Sequence, residues 1–197
     1  MDSTARIGPN ALLQLVPVLD RALGVAERAA LFARAGVPVP PPDAGMWPEI
    51  DVARLHRAVA QARPDLAPGL MRAAGLATAD YILANRIPRP AKALIRALPA
   101  PLGARLLTMA IGKHAWTFAG SGQFAVARGR PRARAIVVTL TANPLACGAA
   151  GAPSCHWHAA VFERLYGTLV WPTAQAHETA CCACGDVACR FEIGPEV

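Results

Sequence analysis

Apolar positions recur at helical spacing through the first part of the chain. Between Gly8 and Gly36, Leu12, Leu15, Val16, Leu19 and Leu23 mark one face and predict two short helices. Asn10 is placed to cap the first, Pro17 to kink it, Gly24 to divide the pair and Gly36 to end the second. VPVPPPDAGMWP then reads as a stiff connector. Val52, Leu55 and Val59 predict an amphipathic helix over Asp51 to Ala62, stopped by Pro64. Further helices are expected from about Pro68 to Asn85, Pro90 to Leu98 and Pro101 to Lys113. The last carries Leu102, Leu106, Met109 and Ile111 as its packing face.

At Trp116 the texture changes to β-branched and aromatic residues with local alternation. Two strands are predicted, about Trp116 to Ala127 and Ala133 to Thr141, joined at the GRPR turn signal. NPLACGAAGAPS reads as a loop. Cys155 to about Tyr166 reads as a helix packed through Val161, Phe162 and Leu165, with Ser154 as N-cap. Leu169 to Thr179 and Ala188 to Ile193 are the last strands, folded around Cys184-Gly185-Asp186. Helices followed by a mostly antiparallel sheet with one inserted helix make an α+β fold.

A chain of 197 residues can bury a core without disulfide staples. Hydrophobic residues are 54% and charged residues 17%, but no apolar run reaches the roughly 18 residues of a membrane span. MDSTARIGPN shows no secretory pattern, so the expected location is the cytoplasm. The net charge of +7 is almost all arginine, with Lys92 and Lys113 the only lysines. Most arginines are spread along helices, as on a solvated surface, and no nucleic-acid-binding motif accompanies them. The denser run Arg128, Arg130, Arg132 and Arg134 falls in the expected hairpin turn.

The cysteines change the picture most. None of the six precedes Cys147, and four fall between Cys181 and Cys189, a clustering that signals metal or redox chemistry. A turn at Gly185-Asp186 brings Cys181 and Cys189 together. Glu178 can join them only if its strand is bulged, because strict alternation sends Glu178 and Cys181 to opposite faces. Cys155, at a helix start where the dipole favours a thiolate, is the best fourth donor. Three thiolates and a carboxylate make a closed tetrahedral set, typical of structural zinc. An iron–sulfur cluster using Cys147 or Cys155 with Cys181, Cys184 and Cys189 is an alternative. So are a Cys181–Cys184 redox dithiol and substitution by His156, His158 or His177.

The run E-x-x-C-x-x-x-G-x-x-x-C-x-F, here Glu178, Cys181, Gly185, Cys189 and Phe191, with a cysteine before the preceding helix, resembles the vinyl-4-reductase domain. In ligand-sensing members of that family the matching three cysteines and one glutamate bind zinc. The resemblance implies the ligand-binding fold of nitric-oxide-signalling and Golgi-transport proteins, often dimeric. Together with the N-terminal helical pattern and the proline-rich stretch, it divides the chain into a helical segment (1–37), a connector (38–48) and a ligand-binding domain (49–197). IGPNALLQLVPVLDRALG and the length are most similar to the bacteriochlorophyll-biosynthesis branch, which carries the name 4-vinyl (8-vinyl) reductase. That branch implies a Mg-tetrapyrrole ligand and pathway enzymes as partners.

A reductase needs a hydride or electron source. The glycines nearest to a dinucleotide motif, Gly120 with Gly122 and Gly148, lack its third glycine and following helix. A coordinatively closed metal also leaves no position to polarise a substrate. The chemistry therefore favours a tetrapyrrole carrier over a self-sufficient reductase, with a vinyl reductase using an external electron donor as the alternative and a small-molecule sensor as a weaker one. For a flat pigment, Trp116, Phe118, Phe124, Phe162 and Tyr166 are the expected walls and His114 the expected axial ligand, with Arg86, Arg89 and Arg128 for carboxylates.

Overall fold

The computed structural model describes residues 4–126, 135–146 and 153–196. The chain opens with β1 (Arg6–Ile7) and three helices, α1 (Asn10–Leu13), α2 (Leu15–Leu23) and α3 (Val25–Ala35). After β2 (Trp47–Pro48), which pairs antiparallel with β1, come α4 (Glu49–Ala62), α5 (Ala67–Asn85), α6 (Arg89–Ala97), α7 (Ala100–Lys113) and the short α8 (Trp116–Ala119). The C-terminal part contains β3 (Gln123–Val126), β4 (Ile136–Thr141), α9 (His156–Leu169), β5 (Ala174–Ala180) and β6 (Ala188–Pro195). The four longer strands form one antiparallel sheet in the order β3-β4-β6-β5.

Helix α9 lies across this sheet and packs against α5 on its other side. The two helices approach so closely at Gly75 that a Cβ there would collide with the Trp157 carbonyl and the Ala160 methyl. Glycine lets the backbones touch, and Ala74, Trp157, Ala160 and Val161 fill the flanks of the contact. Leu12, Leu15 and Leu19 of the N-terminal helices join Leu55, Leu70, Phe162, Phe191 and Ile193 in one continuous buried cluster. His56 of α4 reaches back to the Ala11 carbonyl (3.1 Å), and Thr78 of α5 donates to the Asn10 carbonyl (3.3 Å).

Several sequence expectations change for identifiable reasons. Pro17 does not kink a helix: a break at Gln14 restarts the helix at Leu15, so Pro17 falls in a first turn, where its missing N–H costs nothing. Asn10 is the first residue of α1 rather than its cap; its side chain accepts a long bond from Gln14 instead. Gly36 does end α3 in the left-handed conformation, with φ of 64°. The strand expected from Trp116 is a helical turn through Ala119. The Gly8 N–H donates to the Thr117 carbonyl (2.8 Å), a tertiary bond that overrides local β propensity. Gly120, at φ 57°, then turns the chain into the shorter β3. Leu169 belongs to α9, and the following strand begins only at Ala174. In α7 the buried residues are Gly103, Ala104, Leu107, Thr108 and Ile111, so Leu102 and Met109 face outward instead of packing.

Candidate metal centre

The residues between Glu178 and Cys189 fold back on themselves by local rules. Cys182–Cys184 forms a 3-10 turn that Gly185 closes at φ 92°, with Cys184 N–H donating to the Cys181 carbonyl (2.8 Å). The Asp186 carboxylate accepts from the Cys181 N–H at 2.8 Å, holding the turn shut. On β5 the register slips: Glu178 faces Phe191, and Ala180 already faces Arg190. This bulge adds the extra residue that brings Glu178 and Cys181 to the same side.

The Sγ atoms of Cys155, Cys181 and Cys189 and a carboxylate oxygen of Glu178 all lie within 4.8 Å of one another. Cys155 Sγ is 3.4 Å from Cys189 Sγ and 3.9 Å from Cys181 Sγ. A tetrahedral zinc with bonds near 2.3 Å separates its sulfurs by about 3.8 Å, so the spacing suits such an ion. All three cysteines are buried. Glu178 accepts the Cys155 N–H through Oε2 (2.8 Å), while its buried Oε1 has no hydrogen-bond partner. An anionic oxygen buried beside three thiols and lacking a donor is a position for a cation.

The electrostatics point the same way. Cys189 is lowered to about 6, chiefly by a hydrogen bond from the Cys155 thiol. Cys155 is pushed far up, first by that same bond, then by burial and by the charge of Glu178. Burial raises Cys181 to about 11. The protein environment alone thus stabilises one thiolate and holds the others protonated, whereas a divalent cation lets all three ionise. Among the described residues this set can hold a metal.

The surrounding polar groups were not among the sequence-derived candidates. Asn143 Nδ2 donates to Cys155 Sγ (3.3 Å) and Cys189 Sγ (3.5 Å), and its Oδ1 is fixed by the Leu145 N–H (3.0 Å). The Cys182 N–H also points at Cys189 Sγ (3.4 Å). Ser154 is not the N-cap of α9; Cys155 occupies that position, and the Ser154 hydroxyl contacts Cys181 Sγ at 3.7 Å. The only sequence signal for Asn143 was the Asn-Pro turn after β4, which says nothing about what its amide touches.

The remaining candidates separate. Cys184 is exposed, Cys182 is half-buried, and Cys147 and Gly148 lie outside the described residues. His158 is buried against the Phe118 carbonyl (3.2 Å), and His177 is exposed. Phe118, Phe124 and Phe162 do come together, with ring centroids 5.7, 5.9 and 6.4 Å apart, and Phe191 joins Phe162 at 5.3 Å. Tyr166 sits apart, stacked on Trp171 and bonded through its hydroxyl to Thr108 (2.6 Å). His114 and Trp116 lie on the surface, and His114 Nδ1 is engaged by the Ala110 carbonyl (3.0 Å). Arg86 lies over the Tyr81 ring, Arg89 is exposed, and Arg128 with the rest of the 128–134 run lies outside the described residues. A cavity of about 230 Å³ opens beside Cys155, lined among others by His56, Met71, Trp157 and His158.

Residues 136–195, the segment that holds β4, α9 and every candidate metal ligand, match the vinyl-4-reductase domain. Over nearly the whole length the chain is 57% identical to the bacteriochlorophyll synthase 23 kDa chain of Cereibacter sphaeroides, covering 97% of this chain and 91% of that one. It is 54% identical to the protein of the same name from Rhodobacter capsulatus, covering 99% and 90%. Among solved structures, an Fe(II) unliganded H-NOX protein from K. algicida superposes with a TM-score of 0.65 at 9% identity, over 97% of each chain. The phenol-responsive sensory domain of the transcription activator PoxR superposes at 0.56 with 17% identity, over 87% of this chain and 90% of that one. These likenesses show a shared α+β fold.

Proposed function

The chain belongs to the bacteriochlorophyll branch of the vinyl-4-reductase-domain family, and from that premise we propose that it binds a Mg-tetrapyrrole intermediate and presents it to enzymes of bacteriochlorophyll biosynthesis. The observation that carries this reading is the near-full-length identity with proteins named as one chain of a bacteriochlorophyll synthase. A non-catalytic chain of a multi-chain synthase needs a ligand surface and a partner surface rather than chemistry of its own.

The candidate metal centre favours the same reading. Zinc is the ion this donor set suits best: three thiolates and one carboxylate fill a tetrahedron and leave no open position. Bound there, the ion supplies cross-linking between β5, β6 and the start of α9. The chain's own residues do the rest: Asn143 and the Cys182 N–H orient the sulfurs, and burial excludes water.

For the pigment face we infer the half-buried rings of Phe118 and Phe124, backed by the buried Phe162, with His114 and Trp116 at the rim. The cavity beside Cys155 is smaller than the 300–1,000 Å³ of ordinary ligand sites, so a pigment bound there must part α4 and α5 from α9.

Titrating the purified chain with Mg-protoporphyrin and with divinyl chlorophyllide, and reading the pigment absorbance, tests the proposal. Saturable binding at one pigment per chain without pigment reduction supports the carrier. Vinyl reduction by the chain with NADPH or reduced ferredoxin would instead establish the reductase, and no binding to either pigment would end the tetrapyrrole reading.

A further inference from the structure

Helix α7 carries a surface that the fold leaves unused. Its buried side is Gly103, Ala104, Leu107, Thr108 and Ile111, and Gly103 fits tightly beneath the Ile95 carbonyl of α6. The opposite side reads Leu102, Arg105, Met109 and Lys113, with Leu106 half-buried at its edge and packed against the core. At 100° per residue the four exposed positions fall within roughly 80° of the helix circumference. Trp116 follows just past the same end of the helix. Leu102 is 54% exposed, Met109 53% and Trp116 55%. Leu102 and Met109 thus face water on one side of α7, with Trp116 exposed at the start of α8 just beyond, where an ordinary surface scatters such groups singly.

The charge of the chain segment that carries this stripe is one-sided. Among the described residues 81–126 there are six Lys or Arg residues and no Asp or Glu. Every ion pair among the described residues lies elsewhere, on Arg28, Arg54, Arg63, Arg72, Arg164 or Arg190. Arg105 and Lys113 are exposed and form no ion pair among the described residues.

We propose that the α7 stripe and Trp116 form a docking surface for an anionic lipid membrane, on which the protein lies without crossing it. Leucine, methionine and an indole alternating with arginine and lysine match the requirement of the interface. The apolar ends enter the boundary between headgroups and acyl chains, the cations meet lipid phosphates, and tryptophan sits at the headgroup level. Nucleic acid would use the cations but strand the leucine and methionine. A second copy of the chain would set like charges against each other. No described helix is long and apolar enough to span the bilayer, which is consistent with surface attachment. The inference needs no bound pigment, and Leu102, Arg105, Met109 and Lys113 lie outside the proposed pigment face, which it shares only at Trp116.

Flotation of the full chain with vesicles tests this. We expect binding to vesicles containing phosphatidylglycerol, at least tenfold weaker binding to pure phosphatidylcholine, and a marked loss on raising salt from 0.1 to 1 M, where screening shortens from about 10 to 3 Å. Leu102→Glu with Met109→Glu, or Arg105→Glu with Lys113→Glu, should each weaken binding at least tenfold. Arg21→Glu with Arg34→Glu, the same charge change on exposed sites elsewhere, should leave most of it. All three variants alter exposed positions, and unchanged metal content and circular dichroism show that they fold. Tryptophan emission should shift to the blue on anionic vesicles in the native chain and much less in Trp116→Phe. No binding to anionic vesicles overturns the proposal. So does binding that the control variant weakens as much as the α7 variants, or a native dimer that the α7 variants break while vesicles remain unbound.

Discussion

Replacing Glu178 by glutamine changes the candidate metal centre by one charge and almost no volume. The glutamine carbonyl can still accept the Cys155 N–H that Glu178 Oε2 accepts at 2.8 Å, so the backbone entry to α9 keeps its support. What changes is the unpartnered Oε1 position: a buried anionic oxygen becomes an amide NH2, which repels a cation and cannot ligate through nitrogen. Partners that only orient metal ligands are worth about 10- to 100-fold in affinity, and loss of a direct ligand should reach at least that range. At fixed free metal, a 10- to 100-fold loss removes about 1.4 to 2.7 kcal/mol of stability. For a chain of this size that lowers the unfolding midpoint by roughly 3 to 11 °C. Competition with a chromogenic chelator, followed by thermal unfolding at matched metal, reads both quantities. A variant that holds metal as tightly as the native chain and unfolds at the same temperature would refute the assignment of Glu178 as a ligand.

Further outcomes follow from the same structure. Asn143→Ala removes the amide that donates to both Cys155 and Cys189, and should weaken metal retention by about 10- to 100-fold while the metal stoichiometry at saturation stays at one. Cys184→Ser, at an exposed cysteine outside the cluster, should keep its metal and change stability by less than about 0.5 kcal/mol. Gly75→Ala drives a methyl into the Trp157 backbone, where no flexible side chain can give way; a loss of about 1–3 kcal/mol or failure to fold is expected by chemical denaturation. His56 is lowered from 6.5 to about 4, chiefly by burial, so the unfolded chain binds its proton first. Its contribution is fully present above pH 6.5 and falls by about 1.4 kcal/mol per pH unit as pH drops toward 4. His56→Gln, compared with the native chain over that window, should show a correspondingly shallower decline, and parallel curves would contradict it.

The parts of this protein that local rules determine were legible in its sequence. Helical periodicity located the amphipathic helices, Gly36 ended α3 as expected, and the Gly185 turn set Cys181 against Cys189. The condition placed on Glu178, that its strand must bulge, is met between Glu178 and Ala180. What escaped was decided by distant partners. Trp116–Ala119 is helical because Gly8 donates to the Thr117 carbonyl, a bond across more than 100 residues of sequence. Leu102 and Met109 have the spacing of a packing face, but α7 turns Gly103, Ala104, Leu107 and Ile111 inward, with Gly103 fitted closely against Ile95. Asn143 reaches the sulfurs only because β4 ends beside β6, a pairing that residue types alone do not encode. The proposed pigment walls were partly grouped: three phenylalanines meet, whereas Tyr166 makes a separate bond to Thr108.

The central claim, a closed structural metal centre within a binding protein, is tested most directly by elemental analysis with X-ray absorption on the purified chain. The account predicts one zinc per chain with three sulfur ligands near 2.3 Å and one oxygen ligand near 2.0–2.2 Å. A folded, fully stable chain without metal, or an iron–sulfur spectrum, would contradict it.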